Sequence, residues 1–196
     1  MRIQIITLLF LSILTTTYLG CSSDTDSEDC ETITCVNGGA FVDCECVCPQ
    51  GYTGSDCSIQ VTPSKVIISK ATVKVFPLEK SDGSSWDGWI IDPEEQLPDI
   101  FLTFSNDGNI LYESDFYYEN ALGGANFYEF QLNLELTNFQ ATYYVGIWDY
   151  DGTAGSELMT LYGFDVYTGS NGFPQTLQVI SQENIIRVDL ELSYQW

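Results

Sequence analysis

Two short acidic segments hold the residues best placed to do chemistry: Ser81-Asp-Gly-Ser-Ser-Trp-Asp-Gly88, and Trp148-Asp-Tyr-Asp-Gly152 with Glu157 beyond it. Each is polar, contains Gly and is flanked by stretches that read as β-strand. A fold that brings the two together converges carboxylates from distant loops on a small volume. Such groups repel one another and hold their protons more tightly, unless a cation relieves the repulsion. A hard cation with oxygen ligands fits best, above all Ca²⁺, which takes about six to eight oxygens at roughly 2.3–2.6 Å. Asp149 and Asp151, two apart at a strand end, point to the same side, and a loop returning at Glu157 closes over them. Mg²⁺ fits less well, because it prefers few protein ligands and a tight octahedron. An EF-hand is excluded, since Asp149-x-Asp151-Gly lacks the third acid and the late Gly of that loop. The competing reading is that these Asp-Gly pairs only form turns.

Composition narrows the partners. The 196 residues include 28 Asp+Glu against 6 Lys+Arg, a formal charge of −22, and no His. Such a balance argues against nucleic acid or bare anionic membrane as a direct partner, because both require positive charge to displace counterions. Without His, serine-histidine-carboxylate and cysteine-histidine catalysis are excluded, and the commonest Zn ligand is missing. A hydrolase using Asp149 and Asp151 as paired carboxylates is the enzymatic alternative. Nothing separates those two into acid and base, so no catalytic residue is assigned and a non-enzymatic protein is expected.

The elements that must position these acids are strands. Lys65–Phe76 is rich in Val and Ile; Asp99–Phe104 ends at the turn Ser105-Asn-Asp-Gly108, and Asn109–Tyr112 returns. Phe127–Leu136, Tyr143–Trp148, Leu158–Val166, Thr176–Ile180 and Ile185–Leu192 complete about eight strands, with helical spacing sustained nowhere. Short strands at regular intervals predict an all-β, antiparallel sandwich over 65–196.

Tyr144-Val-Gly-Ile-Trp-Asp149-Tyr-Asp151, followed by Gly-Thr-Ala-Gly-Ser-Glu157-Leu-Met, resembles the third calcium-binding loop of a C2 domain. That resemblance implies ligands at Asp149, Asp151 and Glu157, with Glu for the usual Asp. Pro98-Asp99-Ile-Phe-Leu resembles the end of the family's first loop, which implies a further ligand at Asp99. The first loop is longer than usual, so its opening ligand is open among Asp82, Asp87 and Asp92. The family's lysine-rich concave strand is missing, which weakens a membrane-binding role for the sandwich.

All seven cysteines lie before residue 58. Cys30-x4-Cys35-Val-Asn-Gly-Gly, then Cys44-x-Cys46-x-Cys48, then Pro49-Gln-Gly-Tyr-Thr-Gly54-x-x-Cys57 resembles an epidermal growth factor-like module over 30–57. The resemblance implies pairing of Cys30 with Cys44, Cys35 with Cys46 and Cys48 with Cys57; sequence alone leaves other connectivities open. Calcium at this module is not expected, because only Glu45 lies between the third and fourth cysteines. The odd cysteine is Cys21. It follows an apolar run from Ile3 to Gly20 with the layout of a secretion signal. Tyr18-Leu19-Gly20-Cys21 resembles a bacterial lipoprotein signal, which implies a leader over 1–20 and lipidation of Cys21; ordinary cleavage nearby is the alternative. The acidic stretch 21–29 reads as a solvated tether. Its Cys-Ser-Ser-Asp start resembles the export signal of surface lipoproteins in Bacteroidetes-like bacteria. Residues 58–64 read as a linker.

Trp86 and Trp89 have few apolar neighbours in sequence. They form either an exposed pair that meets a sugar or a lipid headgroup, or a lid folded over the sandwich end. Tyr117-Tyr118 carry the same ambiguity. These readings predict a non-enzymatic protein of the bacterial outer membrane, lipid-anchored through Cys21 and facing outward. Its C2-like sandwich uses Ca²⁺ in adhesion or in binding an extracellular protein, glycan or lipid headgroup. A purely structural spacer without metal is the alternative.

Overall fold

The computed structural model describes residues 30–87, 96–170 and 172–196. The expected leader, Cys21 and the acidic tether lie outside the described residues, as do Trp89 and Asp92. Residues Ile33–Trp196 form one unit.

The larger part of this unit is an eight-stranded antiparallel sandwich. Strands β5 (Lys65–Val75), β8 (Tyr128–Leu136), β11 (Thr176–Ile180) and β12 (Arg187–Gln195) form one sheet in the order β11-β12-β5-β8. Strands β6 (Ile100–Asn106), β7 (Asn109–Glu113), β9 (Tyr143–Tyr150) and β10 (Ser156–Phe164) form the other, in the order β10-β9-β6-β7. The all-β sandwich read from strand spacing is therefore the fold of the chain.

Inward-facing side chains of the two sheets make one core. Leu102, Phe104, Val145 and Ile147 from one sheet share it with Val66, Ile68, Ala71, Val73, Phe130 and Leu190 from the other. Alternation in β5 changes phase at a bulge between Ile68 and Lys70, so Val66-x-Ile68 and Ala71-x-Val73 both face inward. The β6–β7 turn is closed by Asp107 and Gly108, at φ of 48° and 78°, between the paired Asn106 and Asn109. Two left-handed residues are what a twisted two-residue hairpin requires, which is why Asp-Gly serves there.

The cysteine-rich part has two small hairpins, β1 (Ala40–Val42) with β2 (Glu45–Val47) and β3 (Tyr52–Thr53) with β4 (Ile59–Gln60). Cys35 is bonded to Cys46 and Cys48 to Cys57, as the growth-factor resemblance implies, and Cys30 and Cys44 are also disulfide-bonded. Ile59 and Gln60, read as linker, pair with the module's own strand.

This module is seated on the end of the sandwich. Gln60 donates from Nε2 to the carbonyls of Thr168 (3.1 Å) and Gly172 (3.2 Å), and its Oε1 accepts from the Gly172 amide (2.9 Å). Tyr52 meets Phe173 edge-on at 5.3 Å, and Phe173 meets Trp196 at 5.0 Å. Gly51, at φ +91°, lies under both rings. A Cβ there would stand 2.6 Å from Trp196 and closer still to Phe173, so only glycine fits.

Candidate metal centre

The acidic loops meet at the opposite end of the sandwich from the module. β9 explains why. Its inward-facing positions run Val145, Ile147, Asp149, all buried, so the third member of an apolar series is a carboxylate. Asp149 is wholly shielded from solvent, at 0% exposure. Its Oδ1 accepts from the Asp99 amide at 2.7 Å, and the Tyr150 amide donates back to the Asp99 carbonyl at 2.9 Å. Its Oδ2 is buried and has no hydrogen-bond partner among the described residues.

One carboxylate oxygen from each of Asp87, Asp149 and Asp151 lies within 4.8 Å of the other two. That spacing has a physical reading. Two oxygens bound to one Ca²⁺ can be at most about 4.8 Å apart, twice a bond of roughly 2.4 Å. Without a cation, each such pair of charges costs about 3 kcal/mol at an effective dielectric constant near 20. The proton affinities register that repulsion. Burial first, then the charges of Asp87, Asp151 and Asp99, raise the Asp149 pKa to about 7, although the Asp99 amide acts in the opposite sense. Burial, then Asp99 and Asp151, also raise Asp87. Burial raises Asp99 as well, opposed by the Asn120 amide that its Oδ1 accepts at 2.8 Å.

The return loop is built to hold Asp151 in place. A single 3-10 turn, Gly152–Ala154, follows it; the Ala154 amide donates to the Asp151 carbonyl (3.1 Å) and the Asp151 amide to that of Gly155 (3.0 Å). Gly155, at φ +107°, takes a conformation closed to other residues and feeds the chain into β10.

Of the six acids read as ligands that the structure describes, Asp87, Asp149 and Asp151 converge. Asp99 stands beside them, outside the 4.8 Å group, and acts through its amide on Asp149. Asp82 is not in the group. Its Oδ1 caps its own turn, accepting from the Ser84 amide (2.9 Å) and hydroxyl (2.6 Å), as a short side chain in a turn tends to do. Glu157 is not in the group either, because it is ion-paired with Lys80.

Lys80 has no counterpart in the sequence reading. Its ammonium lies 5.5 Å from the Trp86 ring centre, and Glu157, then Asp151 and Asp149, raise its pKa. A lone basic residue beside an acidic loop, in a chain with only 6 Lys+Arg, was the available signal. Trp86 corrects the idea of an exposed aromatic pair. It is 8% exposed, packs in the core cluster and donates from Nε1 to the Pro77 carbonyl at 3.0 Å. An indole with a backbone partner in reach gains more by burial than by display.

No protein-family model matches this chain, and no curated protein does. Among solved structures, it is similar to a C2 domain of a plant extended synaptotagmin 1, at 12% identity over 67% of this chain and 93% of that one, with a TM-score of 0.33. It is also similar to human GIVD cytosolic phospholipase A2, at 13% identity over 69% of this chain but only 17% of that one, with a TM-score of 0.38. At TM-scores this low the likeness carries no weight beside the strand pairing itself, and the fold rests on its own topology.

Proposed function

We propose that the sandwich binds Ca²⁺ at the apex through Asp87, Asp149 and Asp151, with Asp99 orienting Asp149, and that the cation orders these loops for ligand binding at a cell surface. One observation carries the metal reading: among the described residues, Asp149 Oδ2 is buried, unpartnered and grouped with two further carboxylates. A buried charge without a partner is costly, and a bound cation removes that cost. Backbone carbonyls and water complete the oxygen set that Ca²⁺ takes. The cation also reverses the sign of the local potential, which opens the apex to anionic groups only when calcium is bound. The protein is non-enzymatic in this reading and hangs from the outer membrane by lipidated Cys21, a placement supported by the leader-like run before that residue.

Thermal unfolding with calcium, magnesium or chelator tests the site. For a dissociation constant near 10⁻⁴ M, 10 mM Ca²⁺ stabilises by about 2.7 kcal/mol, roughly 5–10 °C for a chain of this size. Asp149→Asn should abolish the shift. Equal midpoints in calcium and chelator would sink the metal reading and leave an anchored spacer whose acids are turn formers.

A further inference from the structure

A second site lies one residue from Asp149 on the other side of its strand. Side chains alternate along β9, so Tyr150 faces outward where Asp149 faces in. Tyr150, Phe101, Phe116 and Tyr117 wall a cleft of about 330 Å³, whose lining also includes the acidic residues Glu113 and Asp115 with Ser114 and Ser156. The Phe101 and Tyr150 rings stand at 83° to one another, and Tyr117 stacks on Tyr150 at 4.5 Å, extending that wall.

The cleft is preformed. Ser114 binds Leu102 twice, amide to carbonyl at 2.9 Å and Leu102 amide to Ser114 Oγ at 3.1 Å; that hydroxyl donates to the Phe116 carbonyl at 3.0 Å. Tyr118 pairs with Ile100 through both amides at 2.9 Å. Tyr117 and Tyr150 stack on one another and Phe116 packs on Phe130 and Tyr118, yet Phe116, Tyr117 and Tyr150 remain 41%, 37% and 38% exposed. Three large aromatic side chains held open beside two carboxylates ask for a ligand that uses both.

Charge selects the ligand class. Among the described residues no Lys or Arg lines the cleft, and the chain carries −22, so an anion is repelled. A purely apolar ligand would strip water from Glu113 and Asp115 and return nothing. A sugar stacks on aromatic rings, yet its hydroxyls gain little from the net field. A soft organic cation uses the ring faces through their quadrupoles and the carboxylates through their charge. A cleft of 330 Å³ is near the small end of ligand sites (about 300–1,000 Å³), the size for a headgroup rather than a chain. From these observations we infer that the Phe101–Phe116–Tyr117–Tyr150 cleft binds an alkylated ammonium group.

The test is calorimetric titration of the folded protein in chelator with choline and, separately, with its uncharged carbon isostere 3,3-dimethyl-1-butanol. Choline should bind at least about tenfold more tightly than the isostere. Tyr150→Ala and Tyr117→Ala should each weaken choline about tenfold. Glu113→Gln/Asp115→Asn keeps the shape and should narrow the gap between choline and the isostere. Circular dichroism confirms that each variant is folded. Equal binding of choline and the isostere, preference for a neutral sugar such as methyl glucoside, or no choline binding at 50 mM would each overturn the proposal. Co-sedimentation with phosphatidylcholine vesicles would identify a lipid headgroup as the source; choline binding without it would identify a free solute. Because the titration is done in chelator, its outcome is independent of whether the apex binds calcium.

Discussion

Two aspartates, the buried Asp149 and the half-buried Asp189, occupy opposite sheets of the same sandwich, and each has a shielded carboxylate oxygen without a hydrogen bond among the described residues. Asp189 has its counter-charge built in. Lys74 Nζ lies 2.6 Å from Oδ2 and Arg187 Nε 3.6 Å from Oδ1. Lys70 is likewise bridged to Glu129 (3.2 Å) and Glu191 (2.8 Å), and Lys65 to Glu135 (2.7 Å), so this face is internally neutralised. Around Asp149 the neighbours are acids, and the one nearby ammonium among the described residues, Lys80, is held by Glu157. The same side chain serves as half of an ion pair in one sheet and as part of an uncompensated acidic cluster in the other. What separates the two carboxylates is the missing countercharge at Asp149.

That contrast is open to direct attack. Asp189→Asn strands Lys74 and Arg187 beside a neutral amide and should destabilise the chain by about 2–3 kcal/mol, below the full cost of breaking a buried pair because its partners reach water. Denaturant melts with and without calcium check both this loss and its indifference to the cation. Asp149→Asn should act with the opposite sign in chelator at pH 7.5, stabilising by about 1–2 kcal/mol because it removes the repulsion at the apex. If both variants destabilise equally, the two aspartates are alike and the comparison fails.

Proton linkage sharpens it further. Asp149 binds its proton in the folded chain up to a pH of about 7, against an ordinary value of 3.8. Between those values the folded state holds more protons than the unfolded one, so calcium-free stability falls as pH rises from about 4 through 7. Melts in chelator should lose on the order of 1 kcal/mol between pH 5 and 7.5, and Asp149→Asn should flatten that slope. The smallest effect belongs to Lys80. Lys80→Met removes a competing charge and frees Glu157, and should tighten calcium binding about two- to fivefold, the scale of an exposed ion pair. Weaker binding in that variant would show that Lys80 positions the loop instead of competing with the metal.

The strands and the two-sheet fold were legible because apolar alternation survives in β6, β8 and β9 and because Asp107-Gly108 announces its hairpin. Asp149 and Asp151 were legible for the same reason: spacing along a strand end fixes which side they face. The opening acid of the other loop was not legible. Asp82 and Asp87 differ only in whether a serine two residues on captures the side chain, which Ser84 does for Asp82. Glu157 was assigned by spacing alone, and spacing is blind to Lys80, a partner from a separate loop. Trp86 was ambiguous because its partner, the Pro77 carbonyl, is set by how the loop closes. The aromatic cleft was invisible as a site, since Phe101, Phe116 and Tyr150 come from three separate segments.

The seat of the small module has a mechanical consequence. β4 leads through residues 61–64 into β5, the Ser64 amide donates to the Gln195 carbonyl at 2.7 Å, and Trp196 rests on Gly51, so the start of β5 and the end of β12 meet the module at one pole. β5 then runs through 11 residues, about 36 Å, toward the acidic pole, hydrogen-bonded to β12 on one side and β8 on the other. A pull between the module and the acidic pole acts along these strands. Tension in that direction must shear two ladders together, whereas a pull across the sheet would open them one rung at a time. The sandwich is thus wired as a tie rod, stiffest along the line that joins the pole carrying the module to the acidic pole.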